Sequence, residues 1–176
     1  LFKKGNQMDP ESYRMIAVSS VLYRLFASCT HDLTTSWCEK VGGVIPDTQF
    51  GFVHARNAQQ AQFLLRHVVQ SRRRVMGRGE GKNKVWSAFI DFKQAYDHVD
   101  QGLMMAHLEH SVGLPAFLCH VVHAMYTGDT NQVVSAGQST NPVAPSKGVR
   151  QGCPLSPLLF ALFINDLPAA LTSGEP

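Results

Sequence analysis

Three stretches of this chain carry residues placed for chemistry. The first is Val85–Ile90, a short and largely apolar run with a β-branched residue at each end, closed by Asp91. The pattern predicts a buried strand. A carboxylate at the end of a rigid strand can hold a hard divalent cation such as Mg²⁺, for which carboxylate oxygen is a favoured ligand. A strand-end aspartate can equally cap a turn. The second stretch, GVRQGCPLSPLLFALFIN from Gly148 to Asn165, sets a glycine-flanked polar loop ahead of a proline-initiated helix. The third, SRRRVMGRGEGKNK from Ser71 to Lys84, combines three glycines with six basic residues. It predicts a flexible loop in which Arg72, Arg73, Arg74, Lys82 and Lys84 could contact phosphates. A solvated connection would have the same composition.

The elements that must position these groups follow from periodicity. Val18, Leu22, Leu25, Cys29, Leu33 and Trp37 recur at spacings of three and four, predicting an amphipathic helix from Val18 to about Glu39. Gly42-Gly43 stops it and Ile45-Pro46-Asp47 turns the chain. Asn57 caps a second helix whose face holds Ala58, Ala61, Leu65, Val68 and Val69. Asp100 caps a third, with Leu103, Met104 and Leu108, ended by Gly113. Pro115 opens a fourth, reaching about Tyr126. Gln132–Ala136 and Ala144–Val149, either side of Gly137 and Pro142, predict a hairpin. Ser156-Pro157 starts a last helix that buries Leu158, Leu159, Leu162 and Phe163.

The 176 residues match one domain or a piece of a larger one. A formal charge of +3 does not by itself mark a nucleic-acid binder. Four widely spaced cysteines without a C-x-x-C pair suit a reduced intracellular protein. No apolar run is long enough to span a bilayer. His107/His110 and His120/His123 are spaced i, i+3, but nothing is placed to complete a tetrahedral zinc site. Leu1 at the start and a polar tail at the end suggest a chain cut at both ends.

FIDFKQAYDHVD (Phe89–Asp100) and GVRQGCPLSPLLFALFIND (Gly148–Asp166) resemble motifs A and B of reverse transcriptases from non-LTR (LINE-like) retrotransposons. SYRMIAVSSVLYRLF (Ser12–Phe26) and IPDTQFGFVHARNA (Ile45–Ala58) resemble the fingers motifs of that family. Four motifs in order over nearly the whole chain are far more specific than any one. The resemblance implies an α/β fold of α+β type, the fingers and palm of a right-hand polymerase with helices packed on a small antiparallel sheet. Residues about 1–84 would be fingers and about 85–176 palm, stopping before the family's Y-x-D-D hairpin. It implies RNA-directed DNA polymerase activity with two Mg²⁺ ions, or Mn²⁺, acting on an RNA template, a DNA primer and a dNTP.

The same resemblance assigns roles. Asp91 becomes a catalytic metal ligand, with the Phe92 backbone carbonyl beside it. Tyr96 takes the place of the steric gate under the sugar, although an aromatic here could simply be core. Arg14 faces the incoming triphosphate, where its guanidinium fork suits phosphate oxygens. Gln151 and Gly152 form the nucleotide-contacting loop, with Gly148 in the same loop. Arg150 contacts template phosphate or solvent, and Arg56 survives as a cationic contact. Asp97 has a local structural role. Departures from the pattern are Met15 where proline is usual, and Val53, Ala55 and Asn57 in the second fingers motif. A group II intron-type or telomerase-like polymerase lies within the same class, but FIDFKQAYD favours the LINE-like reading. A reading from another class is a non-catalytic nucleic-acid-binding remnant of a decayed element. The fragment alone is expected to be inactive. The family implies no membrane partner and a place in the nucleus or cytoplasm.

Overall fold

The structure is a computed structural model that describes residues 1–75, 85–135 and 137–172, with the side chains of 73–75 excepted. It divides into two compact units. One comprises Leu1–Ile45 with Gln94–Pro176, and the other Pro46–Lys93.

The larger unit is built on helices α1 (Val21–Val41), α3 (Gln101–His110), α4 (Ala116–Tyr126), α5 (Ser156–Phe163) and α6 (Leu167–Thr172). The smaller unit holds α2 (Ala58–Val75). Local chemistry sets the starts. The Ser20 hydroxyl accepts from Tyr23 N–H at 3.2 Å to open α1, and the Asp100 carboxylate accepts from Leu103 N–H at 3.0 Å to open α3. Asn57 and Gln60 form a reciprocal capping box at α2, at 2.9 and 3.0 Å. Gly113, at φ 72°, turns the chain out of α3, and Leu114 N–H donates back to Leu108 O at 2.9 Å. At α5 the cap falls one residue earlier than expected. Leu155 is the N-cap and Ser156 is the first helical residue, fully buried.

Met104 and Leu108 from α3, Leu118 and Val122 from α4, and Leu158, Leu159 and Leu162 from α5 form the core. Helix α1 corrects the reading of its apolar face. Its buried residues are Ala27, Thr30, Thr34 and Cys38, whereas Leu22, Leu25 and Leu33 are 78%, 61% and 57% exposed. Small side chains let α1 come close to α4. The threonine hydroxyls go under without loss because each donates one turn back, Thr30 to Phe26 O at 2.9 Å and Thr34 to Thr30 O at 2.8 Å.

The sheet is smaller than expected, and helices pack on one another instead of on it. Strands β1 (Val134–Ser135) and β2 (Gln138–Ser139) pair antiparallel, Val134 with Ser139 and Ser135 with Gln138, and both are exposed. The hairpin continues through a bridge between Asn131 and Val143. Its return arm is therefore 138–143, not Ala144–Val149. Residues Val85–Ile90 are irregular and exposed, not a buried strand. A strand needs a ladder partner for its N–H and C=O groups, and none of the described strands pairs with this run. The expected loop Ser71–Lys84 begins as helix, since α2 runs to Val75, and residues 76–84 lie outside the described residues.

All four cysteines are free, with Cys29 exposed and Cys38, Cys119 and Cys153 buried. Burial pushes the Cys38 thiol up to about 11. In a thiol-labelling time course of the native chain, Cys29 should react fast and the other three only on unfolding. Leu159→Ala should cost roughly 2–5 kcal/mol in urea unfolding, while Leu22→Ala should change stability by no more than about 0.5 kcal/mol. A large loss at Leu22 would restore the face read from periodicity.

Candidate functional site

The loop from Gly148 to Cys153 is stitched to the segment Tyr96–Gln101. Gly148 N–H donates to Val99 O at 2.7 Å and Val149 N–H to Tyr96 O at 2.9 Å. Gln101 Nε2 donates to Gly148 O at 3.0 Å, and Lys147 bridges Asp100. Gly148 has φ +92°, and a Cβ there would lie 3.4 Å from the backbone of Tyr96 and Asp97. At the far end Gly152 has φ +107°, and a Cβ would come within 3.1 Å of Ala17 O. Ala17 N–H donates to Gln151 O at 2.8 Å. Glycine therefore lets two backbone segments close on this loop.

Arg150 is the buried anchor of the loop. Its side chain is 9% exposed and pairs with Asp129, itself 20% exposed, at 2.7 Å. Nε also donates to Asp129 at 3.1 Å, Nη2 to Met125 O at 2.7 Å, and Nη1 to the Tyr23 hydroxyl. The guanidinium carbon lies 4.7 Å from the Tyr23 ring centre and 4.8 Å from that of Tyr126, within cation–π range. Burial, ahead of all other causes, raises the pKa of both tyrosines. Where the sequence reading had template phosphate or solvent, the Arg150 donors meet Tyr23, Met125 and Asp129 inside the protein.

Gln151 is half-buried, and its Nε2 donates to the Asp97 carboxylate at 2.9 Å across 54 residues. Asp97 is thus a long-range partner, where a local role was expected. Gln151, Asp97, Gly148 and Arg14 line one cleft of about 1180 Å³. Tyr96 and Gly152 are not among its lining residues. The Tyr96 ring packs on Phe160, centroids 5.0 Å apart, and burial raises its pKa. Asn165, unmarked by the sequence reading, donates to Val44 O at 3.1 Å and meets His107 Nε2 at 3.1 Å.

Asp91 and Phe92 lie in the smaller unit, in irregular and exposed chain. Among the described residues no group of three or more His, Cys, Asp or Glu could hold a metal ion. One carboxylate and one carbonyl supply part of the near-octahedral oxygen set that Mg²⁺ takes, the rest of which water and substrate phosphates can provide. Arg56 also has an internal role. Its guanidinium donates to Pro46 O at 2.7 Å, Gln49 O at 2.9 Å and Asp47 at 2.8 Å, so it braces its own turn. Arg72 is exposed on α2 and Arg73 and Arg74 continue that helix, whereas Lys82 and Lys84 fall outside the described residues. No described helix is long and apolar enough to cross a membrane.

The family "Reverse transcriptase (RNA-dependent DNA polymerase)" matches residues 2–174. The chain belongs to this family. It is 30% identical over 166 residues to the probable RNA-directed DNA polymerase from transposon BS of Drosophila melanogaster, covering 91% of this chain and 17% of that protein. It is 26% identical to the Pol polyprotein of the type-1 retrotransposable element R2 of Nasonia vitripennis, covering 90% and 14%. It is 29% identical to the polyprotein of the type-2 element R2DM of Drosophila melanogaster, covering 93% and 14%. The homologues are polymerases of non-LTR retrotransposons, and this reverse transcriptase segment spans only about a sixth of their length.

The close approach at Gly152 generates a prediction. Gly152→Ala meets both a positive φ and a backbone oxygen, so it should destabilise the native chain by about 1–3 kcal/mol. Denaturant unfolding measures this. A neutral effect would mean that the Ala17 segment does not sit against the loop.

Proposed function

We propose that this segment forms the fingers and palm of a right-hand RNA-directed DNA polymerase, about 1–84 and about 85–176 respectively. The observation that carries the reading is the shared cleft of Arg14 and Gln151, two residues 137 positions apart that the family resemblance assigns to one nucleotide. In this reading Arg14 holds the triphosphate of a dNTP, and Gln151 with Gly152 meets its sugar or base. Tyr96 acts as the sugar gate, braced by Phe160. Arg72, Arg73, Arg74, Lys82 and Lys84 meet the phosphates of the RNA template or DNA primer, a contact that weakens with salt. The working place is the nucleus or cytoplasm.

In this reading Asp91 and the Phe92 carbonyl would hold Mg²⁺, or Mn²⁺ in its place. Bound metal would supply activation of the primer hydroxyl and charge neutralisation at the leaving pyrophosphate. A second reading is a nucleic-acid-binding remnant without catalysis, which accords with one observation: among the described residues no group of three or more His, Cys, Asp or Glu could hold a metal ion.

Primer extension on an RNA template separates the two. In the longer protein this reading implies, Asp91→Asn should lower extension by about 10²-fold or more while leaving the melting temperature unchanged. Near-normal extension by the variant, or none by the parent, would contradict the polymerase reading. Tyr96→Ala should raise ribonucleotide incorporation relative to deoxyribonucleotide. Unchanged sugar selectivity with a lower melting temperature would make Tyr96 a core residue only.

A further inference from the structure

We propose that Asp97 is a positioning residue that sets which end of the Gln151 amide a ligand meets. The inference rests on Gln151 being the ligand-facing side chain of its loop. An ionised carboxylate has no proton to give, so the amide end that touches it must be the nitrogen. Gln151 Nε2 lies 2.9 Å from Asp97 Oδ1. With one Nε2–H engaged, the amide is fixed nitrogen-first toward Asp97, and Oε1 keeps its full acceptor capacity for a ligand.

The main chain on both sides supports this division. Gln151 O is already taken by Ala17 N–H at 2.8 Å, so the residue cannot turn freely about its backbone. Asp97 N–H donates to Gln94 O at 2.9 Å, and the approach of Gly148 to the Asp97 backbone keeps the two segments in register. Both side chains border the same cleft. Oε1 held in this way favours a donor in the ligand, such as a sugar hydroxyl or an exocyclic amine of a nucleotide. The neighbouring cation, Arg14, supplies the complementary preference for phosphate.

A charge-pattern cycle tests this on the chain itself and needs no ligand, so its outcome is independent of whether the polymerase reading holds. Gln151→Glu sets two carboxylates against each other. Asp97→Asn with Gln151→Glu restores one donor and one acceptor in reversed order. Amide hydrogen exchange at Ala17, taken as a ratio to exchange at buried Leu159, reports the loop separately from global unfolding. Gln151→Glu should raise that ratio by about fivefold or more, and the double variant should return it to within about twofold of the parent. The Gln151 side-chain amide resonances should also move in Asp97→Asn alone. An equal rise in the single and double variants, or no rise in either, would overturn the proposal.

Discussion

A buried guanidinium sets the terms for the rest of this structure. Arg150 is withdrawn from water to 9% exposure and must find its partners inside the protein. It does so from three directions: the Tyr23 hydroxyl on α1, the Met125 carbonyl and Tyr126 ring on α4, and the Asp129 carboxylate just past α4. Tyr23, Met125 and Tyr126 lie on helices that pack on the common core. The loop beside Gln151 therefore inherits its position from the helices. A planar, multiply donating side chain suits this task in a way that lysine's point charge does not.

Glycine completes what arginine begins. Gly148 and Gly152 remove side-chain bulk where Tyr96–Asp97 and Ala17 come to the loop. The hydrogen bonds that follow, from Val149 to Tyr96 and from Ala17 to Gln151, tie the segments around Tyr96 and Ala17 and the loop Gly148–Cys153 into one constellation. Arg14 and Gln151 then share one cleft.

Much of the helical order was legible, because capping chemistry is local. Ser20, Asn57 and Asp100 act within three or four residues, although Ser20 was read past and the start of α1 placed earlier. The buried face of α1 was not legible, since its leucine stripe outcompetes Ala27, Thr30 and Thr34 in any periodicity count, yet only small residues allow the approach to α4. The Val85–Ile90 run reads as a strand from composition, but pairing is a non-local property and no described partner satisfies it. Arg150 and Arg56 showed the same limit. A cation in a motif reads as a phosphate contact until its internal partners, Asp129 and Asp47, are known. Asp97 was noticed as an acid and placed too locally, because nothing in one sequence pairs it with Gln151.

The measurement that bears most directly on this account is a double-mutant cycle between Arg150 and Asp129. Urea unfolding would be followed for Arg150→Met, Asp129→Leu and the pair together. Either single change leaves a largely buried charge without its partner, at a cost of about 3–5 kcal/mol. The pair removes both charges, so the double variant should be more stable than additivity allows, with a coupling of about 1–3 kcal/mol. Strict additivity, with each single change nearly neutral, would show that Arg150 is a surface cation and that the loop is not held from within.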